Sequence, residues 1–334
     1  MTISVEKPGL LSTMQDLGRY GAQKYGVIAS GAMDAFAHKS ANILLGNPET
    51  EATLEITVLG PSLQFDSASL IAICGANMSP TVNGIPVPMW RPVLINEGES
   101  LKFGASREGC RCYLAIAGGF NVPLEMNSYS TYLRAGIGGL NGRALREGDR
   151  LSAKTPSSLG KRITAKLLSL IGQETFAATS WFVSYEMMPP YRPNPTVRVI
   201  EGPQFSWYDQ ETVSDFLSKE FKVQSQSDRM GYRLQGPPLT LVKRRELLSE
   251  PVTFGTVQVP PDGNPIVLMT DRQTTGGYPK IAQVISADLP VLAQAQIGSS
   301  VHFQLVSLRD AQEENLIMNL DLNFLYKSVQ MRCI

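Results

Sequence analysis

Long apolar runs and an excess of either charge are missing from this chain, and histidine and cysteine are scarce. The longest apolar runs, such as Leu70–Cys74, are far too short to span a bilayer. Lys plus Arg number 30 and Asp plus Glu also 30 among 334 residues. Bulk charge therefore draws the chain to neither nucleic acid nor membrane. The opening MTISVEKPG carries Glu6 and Pro8-Gly9 without an apolar core, unlike a secretory signal, so the expected location is cytoplasmic. Two histidines, His38 and His302, stand far apart, and four cysteines supply a single Cys-x-Cys pair. Neither pattern meets the spacing of a zinc site, and no metal is expected. Cys110 and Cys112 fall on one face of a predicted strand and Cys74 in an apolar run, positions that suit packing. Nothing marks a nucleophile elbow. There is no GxxxxGK[ST], and no GxGxxG follows a strand and opens a helix. The biotin-bearing tetrapeptide Ala-Met-Lys-Met is also missing, so no covalently attached biotin is expected. A nucleotide or a carried biotin would have to be brought largely by a partner.

Apolar residues make up 43% of the chain and charged ones 18%, a globular balance. The length exceeds what one core usually organises, so two domains are expected. Most of the pattern reads as β. Strand-like runs recur at Ala52–Val58, Ser69–Cys74, Val93–Ile95, Ser100–Phe103, Cys112–Ile116, Thr196–Ile200, Leu239–Val242, Ile266–Met269 and Ser300–Val306, parted by Gly, Pro and Asn. Two segments have helical spacing. One is capped by Ser30 and carries Met33, Phe36, Ala37, Ala41, Leu44 and Leu45, ending at Gly46. The other follows Asp209 and carries Val213, Phe216, Leu217 and Phe221. Leu159–Ala178 is a weaker helical candidate.

Laid over each other, the two helices disclose a repeat. ATLEITVLGPSLQF follows the first and DRMGYRLQGPPLTL the second, with Gly60-Pro61 and Gly236-Pro237 in register. Further on, RPVLINEGESLKF from Arg91 matches LPVLAQAQIGSSVHF from Leu289. A period of half the chain means two related domains, not a solenoid. The boundary is expected near the proline-rich MMPPYRPNP, giving domains 1–190 and 191–334.

Four segments hold more polar residues and glycine than folding alone requires: Lys7–Gly21, Gly26–Asn42, Ser227–Gly236 and Val257–Ile281. In the second, Ser30 and Asp34 stand at a helix start, where free N–H groups can receive an anion, or where the two merely cap. In the third, Arg229 offers a guanidinium fork matched to carboxylate or phosphate, although exposed arginines often do nothing of the kind. The fourth, VQVPPDGNPIVLMTDRQTTGGYPKI, is the richest. Lys280 can supply a point charge, Asp271 can orient a group or accept a proton, and Gln258 and Gln273 can read an amide. Tyr278 can close a pocket. The plainer alternative is a tight hairpin with polar tips.

These segments carry a resemblance. PGLLSTMQDLGRYG, SGAMDAFAHKSANILLGNP, DRMGYRLQGP and GTVQVPPDGNPIVLMTDRQTTGGYPKIA resemble, in family order, the allophanate hydrolase subunit 2 family. It is also called the biotin-dependent carboxyltransferase or 5-oxoprolinase C-subunit family, and includes the antagonist of the sporulation-kinase inhibitor KipI. Met14 and His38-Lys39 depart mildly from the family pattern. The resemblance implies a mainly β fold of two cyclophilin-like β-barrel domains related by duplication, with a few short helices. It further implies a hydrolase component of an ATP-dependent 5-oxoprolinase that opens 5-oxo-L-proline to L-glutamate. The implied partners are a KipI-like (allophanate hydrolase subunit 1-like) protein and a protein like the 5-oxoprolinase A-subunit, with ATP shared between chains. Two other readings stay open: a regulatory antagonist that sequesters a KipI-type inhibitor, and a carboxyltransferase component acting on urea-like amides. On physical grounds Arg229, Lys280 and Asp271 are the catalytic candidates. Gln258, Gln273, Tyr278, Ser30 and Asp34 are the substrate-binding ones.

Overall fold

A computed structural model describes residues 2–243 and 245–332, so Cys333 falls outside it. The chain forms two compact units, one of 1–19, 30–188 and 319–334, the other of 20–29 and 189–318. The short segment 20–29 and the return of the chain at 319 leave no trace in the sequence pattern.

The first unit is two six-stranded antiparallel sheets around one core. One sheet runs in the order Arg150–Ser152, Thr2–Lys7, Ser62–Phe65, Ser100–Lys102, Thr81–Val82, Ile85–Pro86. The other runs Phe176–Ala178, Pro92–Ile95, Ser69–Asn77, Glu108–Ile116, Thr53–Thr57, Leu11–Gln15. Ile3, Val5, Leu63, Phe65 and Leu101 of the first sheet join Leu54, Ile56, Ile71, Ile73, Leu114 and Ile116 of the second in the core. Each such side chain, fully buried, contributes about 1.5–3 kcal/mol. Ser69–Asn77 reads as a continuous apolar run because its second face is covered too. Helix α1 (Ala35–Leu44) packs on that strand and on Glu108–Ile116, and helix α2 (Ser158–Ile171) packs beside it. Cys74, Cys110 and Cys112 are all buried and free, and burial pushes the Cys74 and Cys112 thiols up, away from reactivity.

The cap of α1 is not Ser30. Asp34 takes that place in extended backbone, and its Oδ1 accepts from Ala37 N at 2.9 Å. Ser30 stands in the left-handed region at φ 55, outside the extended conformation a cap residue needs.

The second unit closes into a barrel. Its strands run Thr196–Glu201, Lys280–Val284, Thr256–Gln258, Ile266–Leu268, Gly231–Gln235, Phe221–Val223 and Ser300–Leu305. A parallel pairing of Thr196–Glu201 with Ser300–Leu305 completes the ring. Helix α3 (Gln210–Ser218) is capped by Asp209, whose carboxylate accepts from Thr212 N at 2.8 Å. It places Phe216 in a stack on Phe303, ring centroids 4.6 Å apart, with Phe221 beside both. A two-stranded flap, Glu250–Pro251 paired with Thr275–Gly276, stands apart from the barrel ladder.

Three readings change in this unit. Leu239–Val242 forms no strand beyond a single bridge from Leu241 to Tyr208, because Pro237 and Pro238 deny the ladder two donors. The run LPVLA, aligned by the repeat with a strand, is instead helix α4 (Leu289–Ala293), with Pro290 in its first turn. The third is an unforeseen 25-residue helix, α5 (Leu308–Arg332), which starts in this unit and whose residues from 319 belong to the first. None of the helices among the described residues is long and apolar enough to cross a membrane.

Candidate functional site

Register within the barrel builds the central feature. Val257 pairs with Ala282, so regular pairing would set Gln258 opposite Ile281. A bulge skips one residue and sets Gln258 opposite Lys280 instead. Directly opposed residues share a face with Cβ atoms about 4.5–5.5 Å apart, so one backbone irregularity brings an amide and an ammonium together. Both are buried, Gln258 at 5% and Lys280 at 5% exposure. Lys280 Nζ donates to Glu250 Oε2 of the flap at 2.5 Å. The Gln258 Nε2 group is buried with no hydrogen-bond partner. Gly276, opposite Glu250 in the flap, lies over that amide: a Cβ there would stand 2.3 Å from Gln258 Nε2. Gln204 fixes the backbone of Lys280 from both directions, its Oε1 accepting from Lys280 N at 3.0 Å and its own N donating to Lys280 O at 3.2 Å.

The second feature is an ion pair. Arg229 Nε and Nη2 each donate to Asp271, to Oδ2 and Oδ1, both at 3.0 Å, and both side chains are almost wholly buried. Asp271 N also donates to Arg229 O at 2.7 Å. With both oxygens engaged, Asp271 serves as an orienting anion for Arg229 more readily than as a base. Arg272 lies alongside, and burial pulls its guanidinium below its ordinary value, with Tyr20 and Asp271 opposing. Gln273 and Tyr278 are both exposed.

Ser30 and Asp34 belong to the first unit. Ser30 Oγ is buried without a hydrogen-bond partner, two residues after Ile28 and just before Gly31 at φ 103. Next to it Met33 N donates to Glu55 Oε2 at 2.9 Å, and Asp34 N donates to the Tyr113 hydroxyl at 2.8 Å. That hydroxyl donates in turn to Glu55 Oε2 at 2.7 Å, and burial holds its pKa well above the ordinary phenol value. The structure thus joins Gln258 with Lys280 and Arg229 with Asp271 in the second unit, and places Ser30 and Asp34 together in the first.

Glu250 and Gln204 escaped the sequence reading. Glu250 lies outside the four polar segments, and nothing local marks it. Gln204 follows a Gly-Pro, Gly202-Pro203, which is a turn signal but no pointer to chemistry. Among the described residues no group of three or more His, Cys, Asp or Glu is placed to hold a metal ion.

A mainly β chain with a closed barrel and a polar, flap-covered face can now be set beside known proteins. The carboxyltransferase domain, subdomain A and B, matches residues 25–305, and the chain belongs to that family. It is 38% identical over 300 residues to the C subunit of 5-oxoprolinase from Haemophilus influenzae, covering 90% of each. To the C subunit of 5-oxoprolinase from Escherichia coli it is 37% identical over 310 residues, covering 92% of this chain and 93% of that protein. It is also 30% identical to the urea amidolyase of Saccharomyces cerevisiae, along 93% of this chain but 17% of that one. The crystal structure of the Kluyveromyces lactis urea amidolyase superposes with a TM-score of 0.86 at 26% identity. That match covers 97% of this chain and spans a fifth (20%) of the larger one.

Proposed function

We propose that this chain is the C subunit of a 5-oxoprolinase, a hydrolase that opens 5-oxo-L-proline to L-glutamate at the expense of ATP. The observation that carries the reading is the similarity, along nine-tenths of both partners, to two proteins named as C subunits of 5-oxoprolinase. The site is consistent with it. Lys280 offers a buried ammonium for an anionic group of the substrate, and Gln258 Nε2 offers a donor for an amide oxygen. As water adds to the lactam carbonyl, charge gathers on that oxygen, and fixed donors in a dry site stabilise it by several kcal/mol. The carbon–nitrogen bond then breaks and the ring nitrogen leaves as the amine of glutamate. Arg229, held by Asp271, supplies a second fixed cation.

The cations described here do not fit a triphosphate. Lys280 and Arg229 are each buried against a carboxylate, Glu250 and Asp271, which leaves little of their charge for the several negative charges of a polyphosphate. We therefore assign most of the ATP site to the other two proteins of a cytoplasmic heteromeric complex, one KipI-like and one resembling the 5-oxoprolinase A-subunit. Gln273, Tyr278, Ser30 and Asp34 remain proposed substrate or partner contacts.

Glutamate release from 5-oxoproline and ATP tests the proposal, measured with all three proteins and with each left out in turn. Release that needs this chain upholds it. A complex that forms without turnover points to the antagonist reading. The similarity to urea amidolyase supports one further alternative, transfer of a carboxyl group to a urea-like amide, and carboxylation of urea by the mixture would favour it.

A further inference from the structure

We infer that Glu250 is an internal stand-in for a carboxylate of the substrate, and that the flap bearing it must give way for the ligand to bind. The inference rests on the function proposed above and adds what the site selects for. The two ends of the Lys280–Glu250 pair are unequal: the lysine side chain is 6% exposed, the glutamate 44%. A buried ammonium needs an anionic partner, and Glu250 supplies one. Because Glu250 is almost half in solvent, its carboxylate is readily rehydrated on release, whereas Lys280 cannot follow it. The occupant is therefore exchangeable on the anionic side only.

A second observation points to the size of the true occupant. Glu250 satisfies Lys280 but leaves Gln258 Nε2, on the same barrel face, buried without an acceptor. Native structures rarely leave such a group unmet. A ligand with a carboxylate and a carbonyl oxygen a few ångströms apart would meet both donors, as a cyclic or open α-amido acid does. Glu250 brings only the carboxylate.

The flap is built for the exchange. Glu250 pairs with Gly276, and Gly276 lies against the Gln258 amide, so lifting one short ladder uncovers both donors at once. Gly276 has no left-handed backbone to demand glycine; what demands it is the amide beneath, 2.3 Å from where a Cβ would stand. Since that amide is the end of a flexible side chain, Gly276→Ala displaces it without touching the barrel ladder.

The experiment compares wild type, Glu250→Gln and Gly276→Ala as full chains. Binding of 5-oxo-L-proline, and of 2-pyrrolidinone as the same lactam without the carboxylate, is followed through the Lys280 ammonium signal in NMR titrations. KM and kcat are read in the three-protein mixture. Removing the internal competitor raises the fraction of open sites, so Glu250→Gln should tighten 5-oxoproline binding and lower KM about tenfold, with 2-pyrrolidinone the weaker ligand in both proteins because it brings no carboxylate to Lys280. Gly276→Ala should weaken 5-oxoproline binding while the Tm stays near that of wild type. Unchanged binding in Glu250→Gln, or a collapse of kcat, would overturn the inference and make Glu250 a brace or a catalytic group. Tighter carboxylate binding in Glu250→Gln without turnover in any mixture would uphold the stand-in and refute the 5-oxoprolinase reading. Turnover with no response to either substitution would do the reverse.

Discussion

Removing the carboxylate of Asp271 should cost the protein stability as well as activity, and the two losses can be separated. Asp271 and Arg229 share two hydrogen bonds of 3.0 Å, with side chains 8% and 7% exposed. In Asp271→Ala the buried guanidinium loses both hydrogen bonds to that carboxylate, and breaking a buried pair in this way costs about 3–5 kcal/mol. In a protein of this size each kcal/mol moves Tm by about 2–4 °C, so the loss should be roughly 6–20 °C in a thermal melt. The double variant Arg229→Met with Asp271→Leu removes both charges and should regain most of that stability, because an apolar pair avoids the desolvation of two ions. A double-mutant cycle would then show strong coupling between the two positions. Activity should be lost in the single and double variants alike. If Asp271→Ala melted within about 1 kcal/mol of wild type, or if the restabilised double variant remained active, the pair would not be the buried, functional element described here.

Burial lowers the pKa of His38 to about 4, with the Glu49 backbone contact opposing it, while the ring bridges Thr53 Oγ1 and Glu49 O at 2.8 and 2.9 Å. A lowered value in the folded state means the unfolded chain binds the proton first. Stability should therefore fall by about 3 kcal/mol as pH drops from roughly 6.5 to 4, and His38→Gln should flatten that slope in denaturant titrations. Asp209→Ala removes the α3 cap and should cost about 1 kcal/mol with no effect on turnover. Gly138 stands at φ 72 with Ser130 O only 1.9 Å from where a Cβ would sit, so Gly138→Ala should lower Tm markedly and reduce soluble yield. Gln258→Leu should leave Tm unchanged or raise it, since it removes an unmet buried donor, and should weaken substrate binding.

Much of the fold was legible because the signals were local. Apolar runs bounded by glycine and proline marked the strands Thr53–Thr57, Ser69–Asn77, Thr196–Glu201 and Ser300–Leu305, and Asp209 announced α3. Where several residues compete, the sequence misled. Ser30 and Asp34 are both good caps, and only the backbone at Ser30 decides between them. LPVLA suits strand or helix, and the turn at Ser286–Asp288, fixed by Arg198 on the Asp288 carboxylate, starts a helix. Helix α5 escaped because its apolar residues do not form one stripe. Leu322, Leu325 and Val329 are buried, whereas Leu316, Ile317, Leu320 and Phe324 are exposed. The site residues were visible as a polar, proline-bounded segment, but their partnerships were not. A bulge decides that Lys280 rather than Ile281 faces Gln258, and no residue type encodes it. Glu250 arrives from a separate flap, eight residues before Gln258 and with no motif of its own.

The most direct test of the account is glutamate release from 5-oxoproline and ATP by the three-protein mixture, with Lys280→Ala set against wild type and the complex checked by size-exclusion chromatography. The account predicts turnover with wild type and its loss, by about a hundredfold or more, in a variant that still assembles. Full activity in Lys280→Ala, or no turnover in any mixture containing wild type, would contradict it.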